Sequence, residues 1–175
     1  MGEKRARGPP PALCALAQMR MGMTTYLKLS SPGKVMSADE AAALIPAGAQ
    51  IGFGGFTGSG YPKELPKALA ARIKAAHEAG EDFTVNAFTG ASTAPELDGV
   101  LAEVDGMGWR MPYQSDPTLR KKINDGTIRY TDIHLSHTAQ LVAEGFCGRL
   151  DFAAVEATRI TEDGSIVPTS SVGNN

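Results

Sequence analysis

The run GFGGFTGSGYPKELPKAL, from Gly52 to Leu69, sets glycines at 52, 54, 55, 58 and 60 ahead of a helix-like stretch. Glycine takes positive φ and lets a ligand approach the backbone. Such a loop can therefore aim N–H groups at a phosphate, an oxyanion or a carboxylate, helped by the positive end of the following helix. A Walker phosphate loop is excluded, because Tyr61 and Pro62 follow Gly60 where Lys and then Ser or Thr are required. The dinucleotide fingerprint fails too: counted from Gly52 its sixth position is Thr57, and no acidic residue ends a second strand about 20 residues on. Two readings stay open, an oxyanion- or carboxylate-binding loop and a tight glycine turn packed against a sheet.

Two further junctions are small and rich in hydroxyls: FTGAST, carrying Ser92, and PYQSDP, carrying Ser115. Thr93 has Glu96 three residues on and is expected to cap a helix, as is Asp116, which leaves Ser92 and Ser115 free. Two spare hydroxyls at neighbouring strand ends suit a carboxylate, although loop solvation accounts equally well for either alone. His134 and His137 are three apart but straddle an element boundary without a third ligand, so a solvated or capping pair is expected and no metal. Glu156 interrupts an apolar stretch; a structural hydrogen bond to a loop is the favoured reading over a functional carboxylate. Cys14 and Cys147, far apart, read as structural thiols in a reducing compartment.

The elements that would position these residues alternate. SADEAAALIPAG reads as a helix with a Ser37/Glu40 capping box and with Leu44 and Ile45 inward. AQIGFGGF is a strand, and a helix follows with Pro66 in its first turn, Leu69, Ile73 and Ala76 on one face, and Gly80 as its stop. DFTVNAF is a strand, APELDGVLAEV a helix, GWRMPYQ a strand, and SDPTLRKKINDG a helix capped by Asp116 with Pro117 at its first position. IRYTDIHL is a strand, SHTAQLVAEGF a helix burying Leu141 and Val142, and DFAAVEAT a strand apolar enough to be buried on both faces. ITEDGSIVP reads as a hairpin turning on Asp163 and Gly164. Strands that alternate with helices imply an open α/β fold, a mainly parallel sheet with helices on both faces. Ligands of such sheets bind outside the carboxyl ends of the strands, where the three junctions fall.

The 175 residues suffice for about one domain. A net charge of -2 gives no reason to expect nucleic acid or an anionic membrane as partner, and no apolar run reaches membrane-span length. Residues 1–33, basic, acid-poor and broken by prolines, are expected to be a disordered leader, with an organelle-import peptide as the alternative.

The ordered motifs GFTGSGYPKELPKAL, TGAST, LDG, VEAT and ITEDGSIVPTSSVGN resemble the N-terminal part of the acetyl-CoA hydrolase/CoA-transferase family, the succinyl-CoA:acetate CoA-transferases above all. The resemblance covers roughly 34–174 and implies a partial N-terminal domain over 34–175, truncated with respect to the family. It implies an enzyme that moves CoA between short acyl-CoA molecules and carboxylic acids through a glutamyl-CoA thioester. The glutamate would lie beyond this chain, so no catalytic residue is expected here and the fragment alone is expected to be inactive. Gly55, Phe56, Thr57, Ser92 and Ser115 would form one wall of the acyl and carboxylate site, although PYQSDP departs from the pattern around Ser115. Coenzyme A enters as substrate, with no metal. The expected partners are acyl-CoA, small carboxylates, the C-terminal half and, once complete, a second copy. The expected compartment is the cytoplasm, or the mitochondrion if the leader is a transit peptide. Acetyl-CoA hydrolysis and a non-catalytic carboxylate- or nucleotide-binding module are the alternatives.

Overall fold

The computed structural model describes residues 35–173, so the leader, Cys14 and Asn175 lie outside the described residues. Five strands, β1 (Gln50–Phe53), β2 (Val85–Thr89), β3 (Met107–Met111), β4 (Arg129–Tyr130) and β5 (Phe152–Ala154), form one sheet in the order β4-β3-β2-β1-β5. Every pairing in it is parallel. After α1 (Ala38–Ala43), the crossovers carry α2 (Glu64–Glu78), a π turn (Pro95–Gly99) running into α3 (Val100–Glu103), α4 (Pro117–Asn124) and α5 (Leu135–Ala143). The chain steps from β1 to β4 in one direction and then returns past β1 to β5. Right-handed crossovers therefore place α2, α3 and α4 on one face and α5 on the other.

The two faces have different chemistry. Ile51, Phe53, Val85 and Ala87 point at Leu69 and Ile73 of α2, Leu97, Leu101 and Leu119, all buried, in the main core. Each such side chain contributes roughly 1.5–3 kcal/mol by leaving water. The opposite face aligns Gly52, Phe88 and Met111 by register. There Leu150 lies over Gly52, 3.2 Å from where a Cβ would stand, and the Cys147 thiol sits 3.8 Å from the Met111 sulfur. Burial raises the pKa of that thiol.

Local signals explain most element ends. The Ser37/Glu40 capping box forms in both directions. Asp116 accepts from the Leu119 N–H at 2.9 Å, with Pro117 opening α4. Gly80 ends α2 at a φ of 81°. Four expectations need correction. Ile45 is buried but Leu44 is 54% exposed, because α1 stops at Ala43 and Leu44 turns outward as its C-cap. Thr93 and Glu96 form no capping box: the cap position falls on Ala94, and the wider π turn aims the following residues differently. Leu141 and Val142 are half-buried, not buried, on α5, the lone helix of its face among the described residues. Finally, the expected strand from Asp151 to Thr158 breaks at Val155 and Glu156 into β5 and β6 (Ala157–Ile160), because the Glu156 carboxylate leaves the sheet to find polar partners. β6 pairs antiparallel with β7 (Ile166–Pro168), as the hairpin reading expected. Its loop is longer than two residues: Thr161 N–H reaches the Ser165 carbonyl at 2.9 Å, and only Gly164 takes a positive φ, 88°.

One ion pair is wholly enclosed. Arg110 of β3 meets Asp98 of the π turn in a two-pronged contact, Nε to Oδ1 at 2.8 Å and Nη2 to Oδ2 at 3.0 Å, and both side chains are 0% exposed. The guanidinium also donates to the carbonyls of Met111 at 2.7 Å, Ala91 at 3.4 Å and Tyr113 at 3.5 Å. It thereby ties the β2–α3 junction to the β3–α4 junction. Removing one partner strands the other as a bare buried charge, at a cost of about 3–5 kcal/mol, whereas an apolar pair of similar volume is close to neutral. Arg110→Met should therefore lower urea-unfolding stability by about 3–5 kcal/mol, and Arg110→Met with Asp98→Leu should recover most of that loss.

Candidate functional site

The order β4-β3-β2-β1-β5 reverses direction at β1, and in open parallel sheets ligands bind outside the carboxyl ends of the strands at such a switch point. The glycine loop stands there. Gly54 N–H donates to the Ala154 carbonyl of β5 at 2.9 Å, which ties the loop across the switch point. Phe56 and Ser59 exchange both backbone bonds, at 2.8 and 3.0 Å, around Thr57 and Gly58, whose φ values are 37° and 73°. Two successive positive φ angles make the tight mirror-image turn of hairpins, natural for glycine and strained by roughly 1–3 kcal/mol for a β-branched threonine. The turn places the Thr57 hydroxyl 3.5 Å from the Ser92 hydroxyl of the β2–α3 junction. Ser92 is 5% exposed.

A strap of chain, residues 169–173, lies along the loop. Val172 accepts from the Gly55 N–H at 3.2 Å, the Ser170 and Ser59 hydroxyls meet at 2.7 Å, and the Ser171 hydroxyl donates to the Ser59 carbonyl at 2.5 Å. Gly55, at a φ of 110°, would bring a Cβ within 2.6 Å of the Tyr61 backbone, so only glycine fits there. The amides of Gly55 and Phe56 are taken by the carbonyls of Val172 and Ser59. Among the described residues the N–H groups of Thr57 and Gly58 at the exposed tip, and of the buried Gly60, have no hydrogen-bond acceptor.

Below the loop, the buried Tyr61 donates to Glu96 Oε2 at 2.5 Å, fastening the loop to the π turn. Lys63 pairs with Glu156 at 3.1 Å, donates to the Tyr61 carbonyl at 3.0 Å and stands 4.5 Å over the Tyr61 ring. The other Glu156 oxygen accepts from the Thr169 hydroxyl of the strap at 2.8 Å. Glu156 thus makes the structural loop bond its sequence context suggested. The Tyr61 hydrogen bond holds the Glu96 carboxyl below its usual 4.5, while burial and then that same bond raise the Tyr61 phenol.

The structure brings together Gly55, Phe56, Thr57 and Ser92 but joins Ser115 to none of them by a hydrogen bond; Ser115 is exposed and accepts from Arg120 through its backbone carbonyl at 3.2 Å. Phe56 is 53% exposed. His134 and His137 stack edge to face with centroids 5.6 Å apart, both exposed. Among the described residues no three His, Cys, Asp or Glu side chains are grouped to hold a metal, and no helix is long and apolar enough to cross a membrane. Sequence reasoning missed Arg110, Asp98, Tyr61 and Glu96. The available signal was a charged residue inside an apolar strand, Arg110, facing an acid inside an apolar helical stretch, Asp98.

The chain is an α/β domain with a glycine loop at the switch point of its parallel sheet and hydroxyls gathered beside it. Residues 20–175 match the acetyl-CoA hydrolase/transferase N-terminal domain, and the chain belongs to that family. It is 45% identical over 141 residues to a succinyl-CoA:acetate CoA-transferase of Clostridium kluyveri, covering 81% of this chain and 26% of that protein. It is 44% identical over 139 residues to a propanoyl-CoA:succinate CoA transferase of Escherichia coli, covering 79% and 28%. It is 39% identical over 167 residues to an acetyl-CoA hydrolase of Saccharomyces cerevisiae, covering 91% and 30%. The chain thus spans less than a third of the length of each of these relatives. Among solved structures, a variant of the decarboxylase AibA/AibB is similar at a TM-score of 0.49 and 19% identity, over 63% of this chain and 42% of that one.

Two outcomes follow from the loop geometry. Gly55→Ala should cost well over the roughly 1–2 kcal/mol expected for Gly58→Ala, since the second substitution meets open space and only an unfavourable φ; thermal melting of the two variants compares them. Because the Glu96 pKa is depressed, the stability it contributes is present above pH 4.5 and is lost as the pH falls below that value. Tyr61→Phe should therefore melt lower than the parent at pH 7, by about 1 kcal/mol in stability, and the gap should narrow as acid protonates Glu96 in both proteins.

Proposed function

We propose that this domain forms one wall of a site that moves CoA between a short-chain acyl-CoA and a carboxylic acid, of the succinyl-CoA and acetate kind. The observation that carries the reading is the Thr57–Ser92 hydroxyl pair at the crest of β1 and β2, beside the switch point. Hydroxyls at this spacing donate to the oxygens of a carboxylate or an acyl carbonyl, and the tip amides of Thr57 and Gly58 point the same polarity outward. Gly55 gives the loop its shape, Phe56 offers an apolar wall to the acyl chain, and Ser115, exposed at the β3–α4 junction, is assigned to the same wall. Names borne by relatives at 44–45% identity supply the substrate class.

In the chemistry implied by the family resemblance, a glutamate in the portion of the protein beyond this chain attacks the acyl-CoA carbonyl and releases CoA thiolate. The thiolate attacks the resulting mixed anhydride to give a glutamyl-CoA thioester and free acid, and a second carboxylate then collects the CoA by the reverse steps. The part of this chain is to orient the acid and to stabilise negative charge on the reacting oxygens. The whole enzyme acts as a homodimer in the cytoplasm. A second reading, acetyl-CoA hydrolysis, in which water resolves the thioester, is favoured by the 39% identity to the yeast hydrolase.

The test is a titration of the ¹⁵N-labelled chain with acetate, succinate and CoA. Shifts centred on Thr57, Gly58 and Ser92, with affinity weakened about 2- to 10-fold by Ser92→Ala, are the expected result for the loss of one hydrogen bond. Shifts that leave these residues untouched would remove the site. The chain alone should show no transfer from succinyl-CoA to acetate; measurable turnover would place the nucleophile within these 175 residues.

A further inference from the structure

Two polar atoms at the same crest are buried without a hydrogen-bond partner among the described residues: the Thr93 hydroxyl, on a residue 2% exposed, and the Gln114 side-chain carbonyl, on a residue 5% exposed. They stand at the carboxyl ends of the neighbouring strands β2 and β3. The junctions that carry them are drawn together by one atom, Arg110 Nη2, which reaches the carbonyls of Ala91 and Tyr113 at once. Thr93 follows Ser92, and Gln114 precedes Ser115. Two other buried orphans, on Gln50 and Thr138, lie elsewhere, at the start of β1 and on α5.

A buried acceptor with nothing to accept from is expensive, and native proteins keep few of them. Thr93 stands one residue before the cap position of the π turn, Ala94, and its hydroxyl is buried without bonding the turn. A hydroxyl can both donate and accept, whereas an amide carbonyl only accepts. The pair therefore calls for a group that carries at least one N–H or O–H donor and no full charge: a carboxylate would meet the Gln114 oxygen with like polarity, and a cation would be buried without a counter-charge.

We propose that Thr93 and Gln114 form a second binding position of the crest, taking an uncharged hydrogen-bond donor next to the position assigned above to the carboxylate. This inference rests on that reading for its ligand but not for its existence. The donor has two sources, an ordered water or an amide or hydroxyl group of the acyl-CoA arm, and both offer the same chemistry to the same two atoms.

Thermal melting of the 175-residue chain tests it. If one donor serves both atoms, the near-isosteric Thr93→Val and Gln114→Met should each lower Tm by about 2–6 °C, and the double variant should lose little more than either single one, because both remove the same bound group. Thr93→Ser, which keeps the hydroxyl, should stay near the parent and shows that the site tolerates substitution. Unchanged or raised Tm in Thr93→Val and Gln114→Met would mean that both atoms are true orphans and would overturn the proposal; fully additive losses would overturn the sharing of one group. Uncharged pantetheine, with two amide N–H groups, then separates the sources. A Tm rise in the parent that is absent in Gln114→Met assigns the donor to the acyl-CoA arm, and no rise in either assigns it to water. Loss of acetate binding at Ser92 would leave the melting result standing, so failure of the carboxylate site and failure of this position are distinguishable.

Discussion

Arg110 and Asp98 carry full charges in a place with no measurable exposure, and most of the crest is arranged around satisfying them. Taking two ions out of water costs several kcal/mol each, which only close, fully bonded geometry offsets. That requirement reaches outward. The guanidinium has five N–H donors in a rigid fork, so once two face Asp98 the rest must find carbonyls, and those of Ala91, Met111 and Tyr113 come from both junctions at the carboxyl ends of β2 and β3. Satisfying the ion pair therefore sets the path of the segments that carry Ser92, Thr93, Gln114 and Ser115. The π turn belongs to the same constraint, because Asp98 must point inward for the pair to close.

On the β1 side, order is obtained differently, from backbone packing instead of charge. Glycines at 60 and 173 let the strap and the loop approach more closely than any Cβ would permit, and Gly55 lets the loop close on Tyr61. Tyr61 then anchors the loop from below to Glu96 in the π turn, the element that carries Asp98. The two systems meet at the Thr57–Ser92 contact, where a strained threonine on one side faces a buried serine on the other. Strain held at one residue by surrounding order is common where function is placed.

The frame was largely legible in the sequence because its signals are local. The Ser37/Glu40 box, the Asp116–Pro117 helix start and the Gly80 stop all act through the backbone of near neighbours, and the alternation of strands and helices named the parallel sheet. Errors occurred where a distant partner outbid a local rule. Glu96 looked like half of a capping box until Tyr61, 35 positions away in sequence, claimed its carboxylate. Glu156 looked like a blemish in a continuous strand, yet its bonds to Lys63 and Thr169 break that strand in two. That Val172 and Ser59 take the amides of Gly55 and Phe56 has no local signal in the sequence. Ser92 was identified correctly as a hydroxyl at a strand end; that it lies against Thr57 follows only from the fold.

The central claim is that the Arg110–Asp98 pair, more than the hydrophobic core, holds the crest in register. Amide hydrogen exchange on the charge-free variant, Arg110→Met with Asp98→Leu, tests this most directly. The account predicts that protection in β1, β2 and α2 stays near that of the parent while the amides of Leu97, Leu119 and Arg120, which bond to Ala94 and Asp116 at the crest, lose theirs, the crest loosening over an intact core. Unchanged protection at the crest in the folded double variant would contradict it and return the ordering of these loops to apolar packing alone.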